Sequence, residues 1–113
     1  MKSLTGGDYS TLTGGDGSIV TGGINSTLTG GHYSILTGGN YSTLIGGNNS
    51  NLTGGYRSRF KASKSVFVCR YHFGGDWRMY VAQDLDPNYY WTFNEESDKW
   101  VHAEDQSIPE VTQ

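Results

Sequence analysis

The chain has one cysteine, Cys69, so it forms no disulfide within itself. It has only two prolines, Pro87 and Pro109, both in the C-terminal half. No apolar run approaches the ~20 residues that a membrane-spanning helix needs. Charge is scarce in the first sixty residues, where Lys2, Arg57 and Arg59 face Asp8 and Asp16 for a net of +1. The remainder has five basic and nine acidic residues, a net of −4. A nucleic-acid binder carries a basic patch. Neither nucleic acid nor a membrane is therefore an expected partner. Met1-Lys2-Ser3-Leu4 runs straight into a repeat and has no signal-peptide pattern. The expected location is the cytoplasm, or outside the cell without a cleaved signal. Apolar residues make up only 35% of the 113 residues, which implies a thin core.

What the chain has in quantity is glycine, and the glycine is periodic. Thr5-Gly6-Gly7-Asp8-Tyr9-Ser10-Thr11-Leu12 opens seven octads that run to Phe60 without insertion or deletion. Ser recurs at Ser10, Ser18, Ser26, Ser34, Ser42, Ser50 and Ser58. An apolar column reads Leu12, Val20, Leu28, Leu36, Leu44, Leu52 and Phe60. A flexible Gly/Ser linker has no reason to keep such a register. Two glycines per octad disfavour a helix, and the period is too short for a helical or propeller repeat. The pattern predicts a β-solenoid, with one short strand and one tight turn per octad. The Gly-Gly pair is the expected corner, where positive φ or a close approach is needed.

Within Ser-x-Leu-Thr, alternation puts Ser and Leu on one face and the flanking residues on the other. Leu decides which face is inside, and the neighbouring Ser hydroxyl then needs a partner in the ladder or the backbone. The residue before the apolar column alternates as Thr11, Ile19, Thr27, Ile35 and Thr43. That alternation predicts a coil of sixteen residues, two octads each. Its outward ladders are Thr11, Thr13, Thr27, Thr29 and Thr43 on one side and Ile19, Thr21, Ile35 and Thr37 on the other.

The octad Gly-Gly-x-Tyr-Ser-Thr-Leu-Thr resembles the octapeptide repeat of bacterial ice-nucleation proteins, whose usual form has Ala-Gly in place of Gly-Gly. Thr53-Gly54-Gly55-Tyr56-Arg57-Ser58-Arg59-Phe60 resembles the arginine-bearing repeats that end that family's array. The resemblance covers residues 5–60. It implies sixteen-residue coils, outward threonine pairs that order water, and association between copies. Family members have dozens of coils and a separate N-terminal anchoring domain, and neither is present in this sequence. The repeat is also similar to that of short bacterial and phage-type proteins, which adds a phage or particle association to the expected locations.

Beyond Phe60 the register decays. Lys61–Val68 keeps an apolar residue at the column and loses Gly-Gly. Segments 66–71, 77–82, 89–93 and 99–102 are β-branched or aromatic and are separated by turn residues. They predict a small antiparallel meander that caps the lower end of the solenoid, as exposed solenoid ends require. The expected organisation is a repeat unit over 1–60, a capping region over 61–103 and a flexible tail over 104–113. Trp77, Tyr89, Tyr90, Trp91 and Trp100 are too many aromatics for a short meander to hide by itself, so some are expected to pack on the solenoid and any left exposed are the candidate interface anchors.

No arrangement suggests an enzyme, a cofactor or a metal. Cys69 and His72 are three apart, which sends them to opposite faces of a strand. Asp84 and Asp86, and Glu95, Glu96 and Asp98, sit in expected turns. The Asp8 and Asp16 column continues as Ile24, His32 and Asn40, so it does not repeat a calcium ligand. The function expected is a structural or protein-interaction module that forms a homodimer or small homo-oligomer. The alternative is weak binding of ice or ordered water through the Thr-x-Thr ladders.

Overall fold

The computed structural model describes residues 3–73, 75–94, 96–97 and 99–103. The expected tail at 104–113 lies outside the described residues, as do Gly74 of the first cap turn and Glu95 and Asp98 of the second. The chain is an all-β solenoid with sixteen-residue coils, closed at its C-terminal end by antiparallel strands. Each octad supplies one strand: β1 (Ser3–Thr5), β2 (Thr11–Thr13), β3 (Ile19–Thr21), β4 (Thr27–Thr29), β5 (Ile35–Thr37), β6 (Thr43–Ile45), β7 (Asn51–Gly54) and β8 (Arg59–Lys61). Four longer or later strands follow: β9 (Val66–Phe73), β10 (Asp76–Gln83), β11 (Trp91–Asn94) and β12 (Lys99–His102).

Odd and even strands form two facing sheets. The odd sheet is ordered β1-β3-β5-β7-β9-β10 and the even sheet β2-β4-β6-β8-β11-β12. Parallel pairing at a spacing of sixteen stacks Leu4 on Val20, Leu36 and Leu52, and Leu12 on Leu28, Leu44 and Phe60. From Val20 to Phe60 this apolar column is fully buried.

From Ser26 to Ser65 the serine column is buried beside the leucines and the backbone satisfies it, whereas the buried Ser18 Oγ has no hydrogen-bond partner among the described residues. Ser34 Oγ donates to Gly31 O at 2.7 Å, and Ser50 Oγ accepts from Ser34 N at 3.3 Å. Ser58 accepts from Ser42 N at 3.2 Å and Ser65 from Ser50 N at 2.9 Å, so the hydroxyls bridge successive coils.

Of the two corner roles expected of Gly-Gly, positive φ and close approach, the second is observed. Positive φ does not fall on Gly-Gly but two residues later, at Tyr9, Asn25, Tyr33, Tyr41, Asn49 and Arg57, with φ of 58–61°. Gly-Gly is required for closeness instead. A Cβ on Gly30 would lie 2.6 Å from Ser34 Oγ, inside the coil. A Cβ on Gly55 would lie 2.8 Å from Asn40 N and collide with Asn40 Oδ1, in the coil above.

The last coil is one residue short. Asn51 pairs with Val66, at a spacing of fifteen, so Phe67 and not Val68 enters the core column. The cap is not a single meander. The β9–β10 hairpin extends the odd sheet and the β11–β12 hairpin extends the even sheet. The two-sheet sandwich therefore continues past the repeats, and aromatic rings fill the gap between the hairpins. Phe60 stacks on Phe67 at 5.5 Å, and Trp100 meets Phe60 and Phe93 edge-on at 5.4 and 5.7 Å.

Candidate functional site

The outward columns follow from strand alternation. On the even sheet Thr11 and Thr13 are exposed, and Thr27 and Thr29 below them are half-buried. Thr43 continues the first column but is only 6% exposed, flanked in the ladder by Thr27 and Arg59. Ile45 and Lys61 end the second column. The Thr-x-Thr array on this side is therefore two rows deep.

The odd sheet holds a longer array. Thr5, Thr21, Thr37 and Thr53 pair in one unbroken column. Ser3, Ile19, Ile35 and Asn51 form the column beside it. Thr5, Ile35 and Thr37 are exposed, whereas Ile19, Thr21 and Thr53 are half-buried. Thr5 and Thr53 are absent from the ladders expected above. Their signal was in the sequence, because both occupy the Thr column that follows each apolar residue. Rows repeat about every 4.8 Å between coils, and side chains on one face about every 6.6 Å along a strand. The result is an in-register array of mostly hydroxyls and methyls.

The candidate aromatics divide. Tyr90 is 1% exposed, with Lys61 Nζ 5.1 Å from its ring centroid. Trp91 is half-buried, and its Nε1 donates to Asp86 O at 2.9 Å. Trp100 packs into the ring cluster of the cap. Tyr90 is thus buried, while Trp91 and Trp100 are partly buried and pack against the core. Tyr89 is exposed and stacks on His102 at 4.2 Å. Trp77 is 60% exposed, held between Arg70, whose guanidinium lies 4.1 Å from the ring centroid, and His72, whose ring lies 5.0 Å away. Met79 and Val81, not singled out from sequence, are 62% and 52% exposed on the same face of β10.

Residues that invited a chemical reading have structural work. Asp8 Oδ1 accepts from Ile24 N and Asp16 Oδ1 from His32 N, both at 2.9 Å. His32 Nδ1 accepts from Asn48 N at 2.9 Å and Asn40 Oδ1 from Tyr56 N at 2.8 Å. This corner column hands each coil an acceptor for the next coil's backbone. Cys69 is buried and donates to Gly55 O at 3.3 Å, while His72 is on the exposed face. Tyr80 Oη accepts from Arg78 Nη1 at 3.5 Å, which raises the guanidinium pKa above its ordinary value. Among the described residues there is no group of three or more His, Cys, Asp or Glu that could hold a metal. Nor is there a helix long and apolar enough to cross a membrane.

A cleft of about 430 Å³ beside β8, β11 and β12 is lined by Tyr41, Arg57, Arg59, Glu96 and His102 among others. Its charges are mixed, and it is open to solvent.

Fold and surface together define a short β-solenoid with a two-hairpin cap and two outward sheet faces. Comparison with known proteins finds no matching family model, no matching curated protein and no matching solved structure.

Proposed function

We propose that this solenoid binds ordered water, and ice weakly, through its outward threonine columns. The observation that carries the reading is the in-register column Thr5, Thr21, Thr37 and Thr53 on one outward face, with Thr11-x-Thr13 over Thr27-x-Thr29 on the other. A threonine offers a hydroxyl to hold a water and a methyl to exclude others from between. A parallel solenoid fixes these pairs on a rigid two-dimensional lattice, so a bound water layer costs little further ordering. The resemblance of the octads to ice-nucleation repeats supports the same reading. Four rows are a small area, which makes adsorption to existing ice the natural activity and not nucleation by one copy.

Crystal shaping tests this. In a supercooled droplet holding a single ice crystal, the protein is expected to produce hexagonal facets. Thr21→Lys combined with Thr37→Lys, on an exposed face away from the core, is expected to abolish them. Round, unfaceted growth with the unaltered protein would sink the reading.

A second reading has its own support. Trp77, Met79 and Val81 form an exposed apolar stripe on an edge strand. We infer from it that the chain also acts as an interaction module.

A further inference from the structure

We propose that β10 is a self-pairing edge, along which two copies of this chain join antiparallel with Met79 on the two-fold axis. The proposal stands apart from ice binding and depends on the edge alone.

β10 is the last strand of the odd sheet and spans eight residues, whereas the repeat strands β1 to β8 span three or four. One side of it pairs with β9 along its whole length, from Asp76 with Phe73 to Gln83 with Val66. Sheet edges are usually guarded by proline, charged side chains, a bulge or brevity. Asp76-Trp77-Arg78-Met79-Tyr80-Val81-Ala82-Gln83 has no proline and no lysine, its two charges Asp76 and Arg78 alternate onto the face opposite Trp77, Met79 and Val81, and its ladder with β9 is unbroken. Its outward residues Trp77, Met79 and Val81 are each more than half exposed. A contiguous apolar stripe on a long open edge marks a contact surface. Trp77 is already held by Arg70 and His72, so it is a preorganised anchor of the type that dominates interfaces.

The occupant that fits is a second copy, because the strand is self-complementary about Met79. Antiparallel pairing there sets Trp77 of each copy against Val81 of the other and Met79 against itself. On the opposite face it sets Arg78 against Tyr80, and Asp76 against Ala82. Centring the pair on Tyr80 instead would oppose Asp76 to Asp84, a like-charge contact that destabilises a sheet. The edge N–H and C=O groups gain partners in the same step. A two-fold axis normal to the sheet keeps both outer faces on one side. Two six-stranded odd sheets then become one of twelve strands. Both copies' Thr5-to-Thr53 columns lie on that shared face.

Absolute mass in solution is the test, measured on the full chain by light scattering over about a hundredfold range of concentration. The expected result is a concentration-dependent dimer whose dissociation constant rises at least about tenfold in Met79→Lys. Single-cysteine variants then report the register. Met79→Cys faces itself across the axis and is expected to cross-link about tenfold faster than Val81→Cys, which faces Trp77. Cys69, being buried, leaves the unaltered chain as the uncross-linked control. A monomer at every concentration overturns the proposal. So does a dimer indifferent to Met79→Lys, or equal cross-linking of the two cysteine variants. A monomer that dimerises only after residues 104–113 are removed would assign the edge to the chain's own C-terminal segment, and would overturn it too.

Discussion

Tyr80 on β10 and Phe93 on β11 stack face to face, with centroids 3.8 Å apart and planes 10° from parallel. Tyr80 belongs to the hairpin that extends the odd sheet and Phe93 to the one that extends the even sheet. Their contact clamps the two sheets together below the last repeat. Phe93→Ala should therefore cost about 3 kcal/mol, at the lower bound for deleting a buried ring. Urea unfolding followed by tryptophan fluorescence measures it. A loss under about 1 kcal/mol would mean that the hairpins hold without the clamp.

The corner acceptors should be separable from the corner glycines. Asn40→Leu removes the acceptor for Tyr56 N and should cost about 1 kcal/mol, while Asn40→Asp should be close to neutral. Gly55→Ala drives a methyl into the Asn40 backbone and should cost more, about 2 kcal/mol. Thermal melts of the three variants give the order. Equal losses for Asn40→Asp and Asn40→Leu would contradict the acceptor role.

Left-handed backbone at Tyr33 makes a prediction of opposite sign. Its φ is 60° and its side chain is exposed, so little packing is at stake. Tyr33→Gly relieves the strain and should raise stability by about 0.5 kcal/mol, the net of the strain released and glycine's extra entropy. Tyr33→Val puts a β-branched side chain in the same conformation and should lower stability by about 1 kcal/mol. If both variants lose stability equally, the tyrosine ring contributes contacts that its exposure conceals.

Much of this architecture was legible in the octads. Column identity alone places Leu28, Leu36 and Leu44 inside and the Thr columns outside, because side-chain alternation in a strand is strict. The Thr/Ile alternation at Thr11, Ile19, Thr27 and Ile35 announces the sixteen-residue coil. What escaped were features set by neighbours in space. The one-residue shortening that brings Phe67 inward shows only in the pairing of Asn51 with Val66. Whether Gly-Gly serves positive φ or a close approach shows only once the coil above Gly55 is in place. Which of the cap aromatics pack inward, as Tyr90 and Trp100 do, and the exposure of Met79 and Val81 depend on two hairpins joining different sheets. The local pattern reads equally well as one meander.

Partition of fluorescently labelled protein between water and a slowly growing ice crystal tests the central claim most directly. The unaltered chain should be incorporated into the ice, and Thr21→Lys with Thr37→Lys should lower incorporation about tenfold. Thr13→Lys, on the shallower even-sheet array, should have a smaller effect. Complete exclusion of the unaltered protein, equal to that of an inert globular control, would contradict the account.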